Sequence, residues 1–275
     1  MTRYPITMLG FFDSGFGGLS VVREIRKRLP RYSFTYIGDN ARTPYGSLSL
    51  DVIHRFTLEG VVELFKRGAE LIVVACNTSS SVALRKIQQE YLPKHYPDRR
   101  VLGIVIPTAE EVSALSTTKT IGILATEATV NSLAYPQEIA KVDATVRVHQ
   151  QACPLLVPLI ESGELDRAAT QARRYVETLL ARDSRIDTIL LGCTHYALIE
   201  SLIRPMVGPE VRVVSQGSIV AAKLEDYLNR HTAMERRLSR AGTEVFLSTE
   251  SSPRIQTLAT RFYDEPIRID TIALP

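Results

Sequence analysis

Tryptophan is absent from this chain, so no indole lines a pocket or stacks on a ligand. Cysteine is scarce, three in 275 residues and an odd number. The start of the chain lacks the charged stretch, apolar core and small-residue cleavage site of an export signal. Free thiols in a reducing cytoplasm are therefore expected, not a disulfide framework. No apolar run approaches the ~18 residues needed to cross a membrane. Charge of one sign is lacking too. Net charge is only +3 and the basic residues are scattered, which leaves no footprint for nucleic acid. The Gly-rich loop at 13–18 holds neither G-x-G-x-x-G nor G-K-[ST], so its glycines suit close approach to a small ligand better than a nucleotide phosphate. What remains is ordinary: 45% apolar and 23% charged residues, enough for one large domain or two.

One stretch organises the rest. Residues 71–75 (Leu-Ile-Val-Val-Ala) read as a buried strand, 76–81 (Cys-Asn-Thr-Ser-Ser-Ser) as a polar turn, and 82–87 as the start of a helix. In an open α/β sheet, ligands bind at the carboxyl ends of strands, where Cys76 falls. The first N–H groups of the following helix would favour a substrate carboxylate or the thiolate itself. Residues 188–198 echo the pattern: Thr-Ile-Leu-Leu-Gly-Cys-Thr-His-Tyr-Ala-Leu, with Cys193 at the strand end. A lone cysteine in such a place is most simply a buried structural thiol. Two in matching settings, one with a histidine two residues on, point to chemistry.

Strands are expected at 7–12, 34–38, 71–75, 101–106, 120–125, 147–150, 188–192, 211–214 and 244–247. Helices are expected at 19–29, 49–68, 110–115, 155–161, 166–181, 219–228 and 255–262. The long helix at 49–68 would bury Val52, Ile53, Phe56, Val61, Val62, Leu64 and Phe65. Its His54 suits packing or surface better than catalysis. Alternation of strands and helices implies parallel sheets covered by helices on both faces. The interval from the Asp13 loop to Cys76 nearly equals that from the Thr126 loop to Cys193. The expected fold is thus α/β, two similar doubly wound parallel-sheet domains facing each other across a cleft. Residues 1–105, completed by 213–275, would carry Cys76, and 106–212 would carry Cys193.

A ligand held between the two thiols could lose a proton from carbon to one and regain a proton on its other face from the second, which inverts a stereocentre. Cysteine's reference pKa of ~8.5 keeps both of its forms reachable near neutrality. Asp13 could move protons for Cys76 and His195 for Cys193. Asn77, Thr78 and Thr194 could hold a carboxylate that shares the developing charge.

Asp13-Ser14-Gly15, Gly38-Asp39 with Pro44-Tyr45-Gly46, Ala75-Cys76-Asn77-Thr78 and Gly192-Cys193-Thr194-His195-Tyr196 together resemble glutamate racemase, over nearly the whole chain. The resemblance implies a two-domain, cofactor-independent enzyme of the bacterial cytoplasm that interconverts L- and D-glutamate and supplies D-glutamate for peptidoglycan. It makes Cys76 the residue that takes the proton from D-glutamate and Cys193 the one that takes it from L-glutamate. Asp13, His195 and Glu161 would assist them. Asp13, Ser14, Tyr45, Gly46, Asn77, Thr78, Thr194 and His195 would bind substrate, and Cys153 would be structural. It also implies a homodimer, and some relatives are said to bind DNA gyrase. Related aspartate racemases usually carry Glu where His195 stands, so aspartate is the alternative substrate. The chain departs from the pattern at Asn40, at Ser79, and at Ser215-Gln216-Gly217-Ser218, where Asp-Ser-Gly is expected.

Other chemistry fits the sequence less well. Cys193 and His195 form a C-x-H unit without the paired spacing of a zinc site, so no metal is expected. Lys66, Lys86 and Lys223 sit in helix-like runs without the phosphate cup of a pyridoxal phosphate enzyme. A redox pair would need Cys76 and Cys193 to close to disulfide distance. A sensor or protein-binding module on the same scaffold is the non-enzymatic alternative.

Overall fold

A computed structural model describes residues 7–275, so the first six residues of the expected first domain lie outside it. Among the described residues there are ten strands: β1 Met8–Asp13, β2 Phe34–Gly38, β3 Ala69–Val74, β4 Arg100–Gly103, β5 Thr120–Ala125, β6 Arg147–Ala152, β7 Thr188–Gly192, β8 Arg212–Val214, β9 Glu244–Ser248 and β10 Ile269–Thr271. They form two sheets, ordered β10-β9-β2-β1-β3-β4 and β6-β5-β7-β8. Every pairing is parallel. Strands β2, β3, β5 and β7 are buried along their whole length. Their largely apolar runs, buried at every position, are what two-sided helical cover selects. The two-sheet α/β architecture expected from the alternation of elements is the observed one.

The sheets share a topology. From β1 the chain steps to β2 on one side and then returns to place β3 on the other; from β5 it does the same with β6 and β7. Each sheet therefore has a switch point, between β1 and β3 and between β5 and β7, where the loops diverge and leave a crevice at the strands' carboxyl ends. Cys76 follows β3 and Cys193 follows β7. The chain passes from the first sheet to the second after β4 and returns after β8.

Local differences from expectation have physical causes. The expected strand to 106, closed by Pro107, stops at Gly103, and the helix Val105–Leu115 takes Pro107 into its first turn. Proline costs nothing there, because first-turn N–H groups have no helical partner. The polar loop expected after β5 is instead a short helix, Glu127–Ser132, capped by Thr126. The Leu50–Lys66 helix buries Ile53, Thr57, Gly60, Val61, Leu64 and Phe65, whereas Val52, Phe56 and Val62 are only half-buried. Gly60 is on that face because a Cβ there would lie 2.1 Å from the Phe12 ring. Phe12 is fully buried, and burying such a ring stabilises the fold by about 2–3 kcal/mol. Among the described residues no helix is long and apolar enough to cross a membrane.

Candidate active site

Cys76 ends the apolar run of β3 and becomes the N-cap of the helix Asn77–Val82, its Sγ accepting from Ser79 N at 3.4 Å. Its other polar neighbour is Ser14 Oγ, 3.4 Å away. The thiol is buried, and burial is the main cause that pushes its pKa up. The Asp13 charge pushes it further, while the contacts with Ser14 and Ser79 pull it back. Asp13 itself does not sit idle beside Cys76. It is fully buried at the end of β1, where Oδ1 accepts from Gly15 N at 2.7 Å and Oδ2 from Thr194 Oγ1 at 3.3 Å. Burial raises its pKa, and His195 acts in the opposite direction.

Cys193 follows β7 and opens a 3-10 turn over Thr194–Ile199, not the α-helix that would match its counterpart. His195 Nδ1 lies 3.8 Å from Cys193 Sγ, and its Nε2 lies 2.9 Å from Glu161 Oε1. Burial alone would push His195 down, but Cys193 and Glu161 outweigh it and hold the ring well above the ordinary histidine range. The imidazolium is then a donor on both sides, Nδ1–H toward sulfur and Nε2–H toward the carboxylate. Glu161 stands at the end of the helix Leu156–Glu161 and also meets Thr43 Oγ1 at 3.4 Å.

The two thiols line one cavity, together with Ser14, Tyr45, Gly46, Asn77, Thr78, Thr126, Thr194 and His195. Its volume is about 20 Å³, room for roughly one water. A cleft of about 540 Å³ lies apart, and one of about 610 Å³, lined in part by Gln216, reaches Cys193 and Thr194 from the other side but not Cys76. Of the three, only the small one joins both thiols, which makes it the candidate. Of the residues singled out in the sequence, Asp13 and Glu161 are not in the cavity wall but touch residues that are, Thr194 and His195. Tyr45 lines the cavity and donates its hydroxyl to Asp39, which also accepts from Arg42 Nε at 2.7 Å and Thr249 Oγ1 at 2.9 Å. Among the described residues no group of three or more His, Cys, Asp and Glu side chains converges closely enough to hold a metal ion.

Several residues here escaped the sequence. Thr126 Oγ1 meets Thr78 Oγ1 at 2.9 Å and Thr129 Oγ1 at 3.0 Å, so a helix cap of the second sheet faces the first. The signal was a hydroxyl immediately after an apolar strand, as at Cys76-Asn77-Thr78. Glycines make the seam close: a Cβ on Gly17 would lie 2.3 Å from Thr194 Oγ1 and 2.5 Å from His195 Nδ1, and one on Gly46 would lie 2.8 Å from Thr126 Cβ. The wall offers two thiols, one beside a histidine that is paired to a carboxylate, and a ring of hydroxyl and amide groups.

Residues 19–224 match the family model of Asp/Glu/Hydantoin racemases. The chain is 38% identical to a glutamate racemase of Paracoccus denitrificans over 96% of its own length and 99% of that protein. In three dimensions it is similar to a glutamate racemase isoform of Bacillus anthracis, with a TM-score of 0.88, 31% identity and 99% of each chain covered. It is also similar to the glutamate racemase of Francisella tularensis in complex with D-glutamate, with a TM-score of 0.84, 27% identity and 98% of each chain covered.

Proposed function

Since the chain belongs to the Asp/Glu/Hydantoin racemase family, we propose that it interconverts L- and D-glutamate with two thiols and no cofactor. The observation that carries this is the single cavity shared by Cys76 and Cys193, each from the switch point of a different sheet. One thiolate takes the Cα proton and becomes a thiol; the electron pair stays on the substrate as a carbanion delocalised into its carboxylate. The opposite thiol then gives its proton to the other face of Cα and becomes the thiolate, which must be reset before the next turnover in the same direction. Cys76 would act as base toward D-glutamate and Cys193 toward L-glutamate.

The side chains divide the remaining work. His195, as the imidazolium paired to Glu161, returns protons to Cys193. Asp13, its pKa raised by burial, is suited to exchange a proton near Cys76. Asn77, Thr78, Thr194 and Ser14 offer N–H and O–H groups to the substrate carboxylates, where they also stabilise the negative charge that develops at Cα. Tyr45 packs against the substrate while its hydroxyl stays with Asp39. Closure keeps bulk water from quenching the carbanion. The two sheets would act as two domains opening about the passages after β4 and β8. The product would serve as D-glutamate for peptidoglycan in the cytoplasm, made by a homodimer, a state that sedimentation equilibrium would check.

The test is proton exchange at Cα. Protein with chelator and no added cofactor, in heavy water with L-glutamate, is followed by NMR and polarimetry. Rotation should fall to zero, with deuterium entering the D-product ahead of the recovered L-substrate. Cys193→Ser should lose at least about 10²-fold in rate. Full activity of that variant in both directions would rule out the two-thiol mechanism, and conversion of L-aspartate alone would rule out glutamate.

A further inference from the structure

Gln216 stands in the one stretch where this chain departs most from the pattern it otherwise resembles, and it is not a surface substitution. It is 4% exposed, at the N-cap of the helix Gly217–Arg230 on the return from β8. Its amide is paired reciprocally with that of Asn77: Asn77 Nδ2 donates to Gln216 Oε1 at 2.6 Å, and Gln216 Nε2 donates to Asn77 Oδ1 at 3.0 Å. Two further groups complete the cluster. The Tyr135 hydroxyl donates to Asn77 Oδ1 at 2.6 Å, and Gln216 Nε2 also faces Tyr135 Oη and, at 3.3 Å, Thr108 Oγ1.

Thr108 decides which way round this cluster is built. Its single hydroxyl proton goes to Ile104 O at 2.6 Å, so it can only accept from Gln216. The Gln216 atom beside it must be the NH2, and its carbonyl must face Asn77. Asn77 in turn must present its carbonyl to Gln216 Nε2 and to the Tyr135 hydroxyl, which fill both lone pairs. Its own NH2 spends one proton on Gln216 Oε1 and keeps one. Asn77 lines the cavity that holds the two thiols. A neutral amide free to flip would offer a substrate carboxylate either a donor or a repelling carbonyl; this one is locked with its carbonyl occupied.

We propose that Gln216 is a positioning residue: it fixes the Asn77 amide with an N–H, not the carbonyl, available to the substrate carboxylate. Asn77 hangs from the first sheet's loop, whereas Gln216, Tyr135 and Thr108 lie on helices that follow β8, β5 and β4. Gln216 opens the helix by which the chain returns to the first sheet, so Asn77 is held where the two sheets meet. The inference rests on the reading above, in which Asn77 binds substrate.

Gln216→Glu tests it with nearly unchanged shape. A carboxylate only accepts, so three oxygens would face it where Nε2 stood; either orientation of Asn77 then sets its carbonyl against one carboxylate oxygen, so the amide loses its single fixed orientation and can turn its carbonyl to the substrate. At pH 8 the KM for both enantiomers should rise about tenfold or more, the scale expected when a donor to a charged group is replaced by an acceptor, and kcat should fall as well because Asn77 also faces the charge that develops at Cα. As pH falls, the buried carboxyl takes a proton and can donate again, so KM should return toward the parent value while the parent's own KM stays flat. In an Asn77→Ala background Gln216→Glu should add no further rise in KM. A KM profile parallel to the parent's, or an additive rise in the Asn77→Ala background, would overturn the inference. If Gln216→Glu does not fold, Gln216→Met, with no donor or acceptor amide, is read by the same KM comparison and the same background. A parent that leaves glutamate untouched sinks the functional reading and this inference with it; an active parent with an indifferent Gln216→Glu sinks only the inference.

Discussion

At the scale of single residues, His195 shows how neighbours overrule burial. An isolated buried imidazole loses its proton readily, yet this one lies between Cys193 and Glu161 and is held well above its ordinary range. Because the shift is upward, the imidazolium persists through neutral pH and is lost only as pH rises through the raised value. Chemistry that needs it should therefore hold level across neutrality and fail on the alkaline side. Glu161→Gln removes one of the two supporting charges, so the alkaline limb of kcat/KM should move to lower pH; a limb that stays in place would refute the role of the pair. Gly17 gives a second test. The Cβ of Gly17→Ala would meet Thr194 and His195, and His195 cannot retreat because Glu161 anchors it. A displacement on the order of 1 Å in a reacting group costs about 10²-fold in rate. That loss in kcat/KM is expected, and a variant with parental kinetics would mean the seam can slip.

At the scale of elements, polar caps hold the strands in register. Asp187, just before β7, accepts from Ser116 Oγ at 2.7 Å, Thr117 N at 2.7 Å and Thr118 N at 2.8 Å, tying the β7 start to the loop before β5. Partial burial works to raise its pKa, but these donors outweigh it and hold the carboxyl below the ordinary range. A depressed folded pKa contributes stability above the unfolded value of ~4. That contribution fades as pH falls through the lowered folded value. Asp187→Asn should then cost about 1–2 kcal/mol at pH 7 and progressively less in acid. Melting curves of the two proteins that stay parallel down to pH 2 would contradict it.

Long apolar runs and their carboxyl-end cysteines were legible in the sequence because buried parallel strands carry their signal locally. The Phe34–Gly38 and Thr120–Ala125 strands have the bounds that composition alone suggests. The helix Ala134–Val142 was not legible: it follows Leu133, a left-handed residue with φ of 56° where no glycine marks the break, and Pro136 sits in its first turn, where proline is tolerated. The short strand β10 was missed because its outward residues are exposed and its partner β9 lies twenty residues back. At the site, Cys76, Cys193 and His195 could be read from motif and strand end. Thr126, Tyr135 and Gln216 could not, since what brings each to the site is a partner at least 48 residues away in sequence.

At the scale of the whole molecule, the cavity of about 20 Å³ between the thiols is far below the ~300 Å³ at the small end of ordinary ligand pockets. An amino acid seated between the thiols needs that space to widen. Saturation with D-glutamate should slow amide hydrogen exchange at the seam, in residues 14–18, 43–47, 126–129 and 193–196, while leaving the core strands unchanged. Equal exchange with and without ligand would mean that access needs no opening. Stability should rise by about 2.7 kcal/mol at a hundredfold excess of ligand over Kd.

The repeated strand order, with one thiol at each switch point, has a thermodynamic consequence. Mirror-image amino acids have the same free energy in water, so a racemase must have equal kcat/KM in the two directions, and so must every variant of it. Damage to one sheet's switch point cannot slow one enantiomer alone in that ratio, however unlike the Ser14 and His195 surroundings are. Each half can only redistribute the common loss between kcat and KM. The place where the two halves remain distinguishable is isotopic: which enantiomer's carbon–hydrogen bond is broken in the slow step.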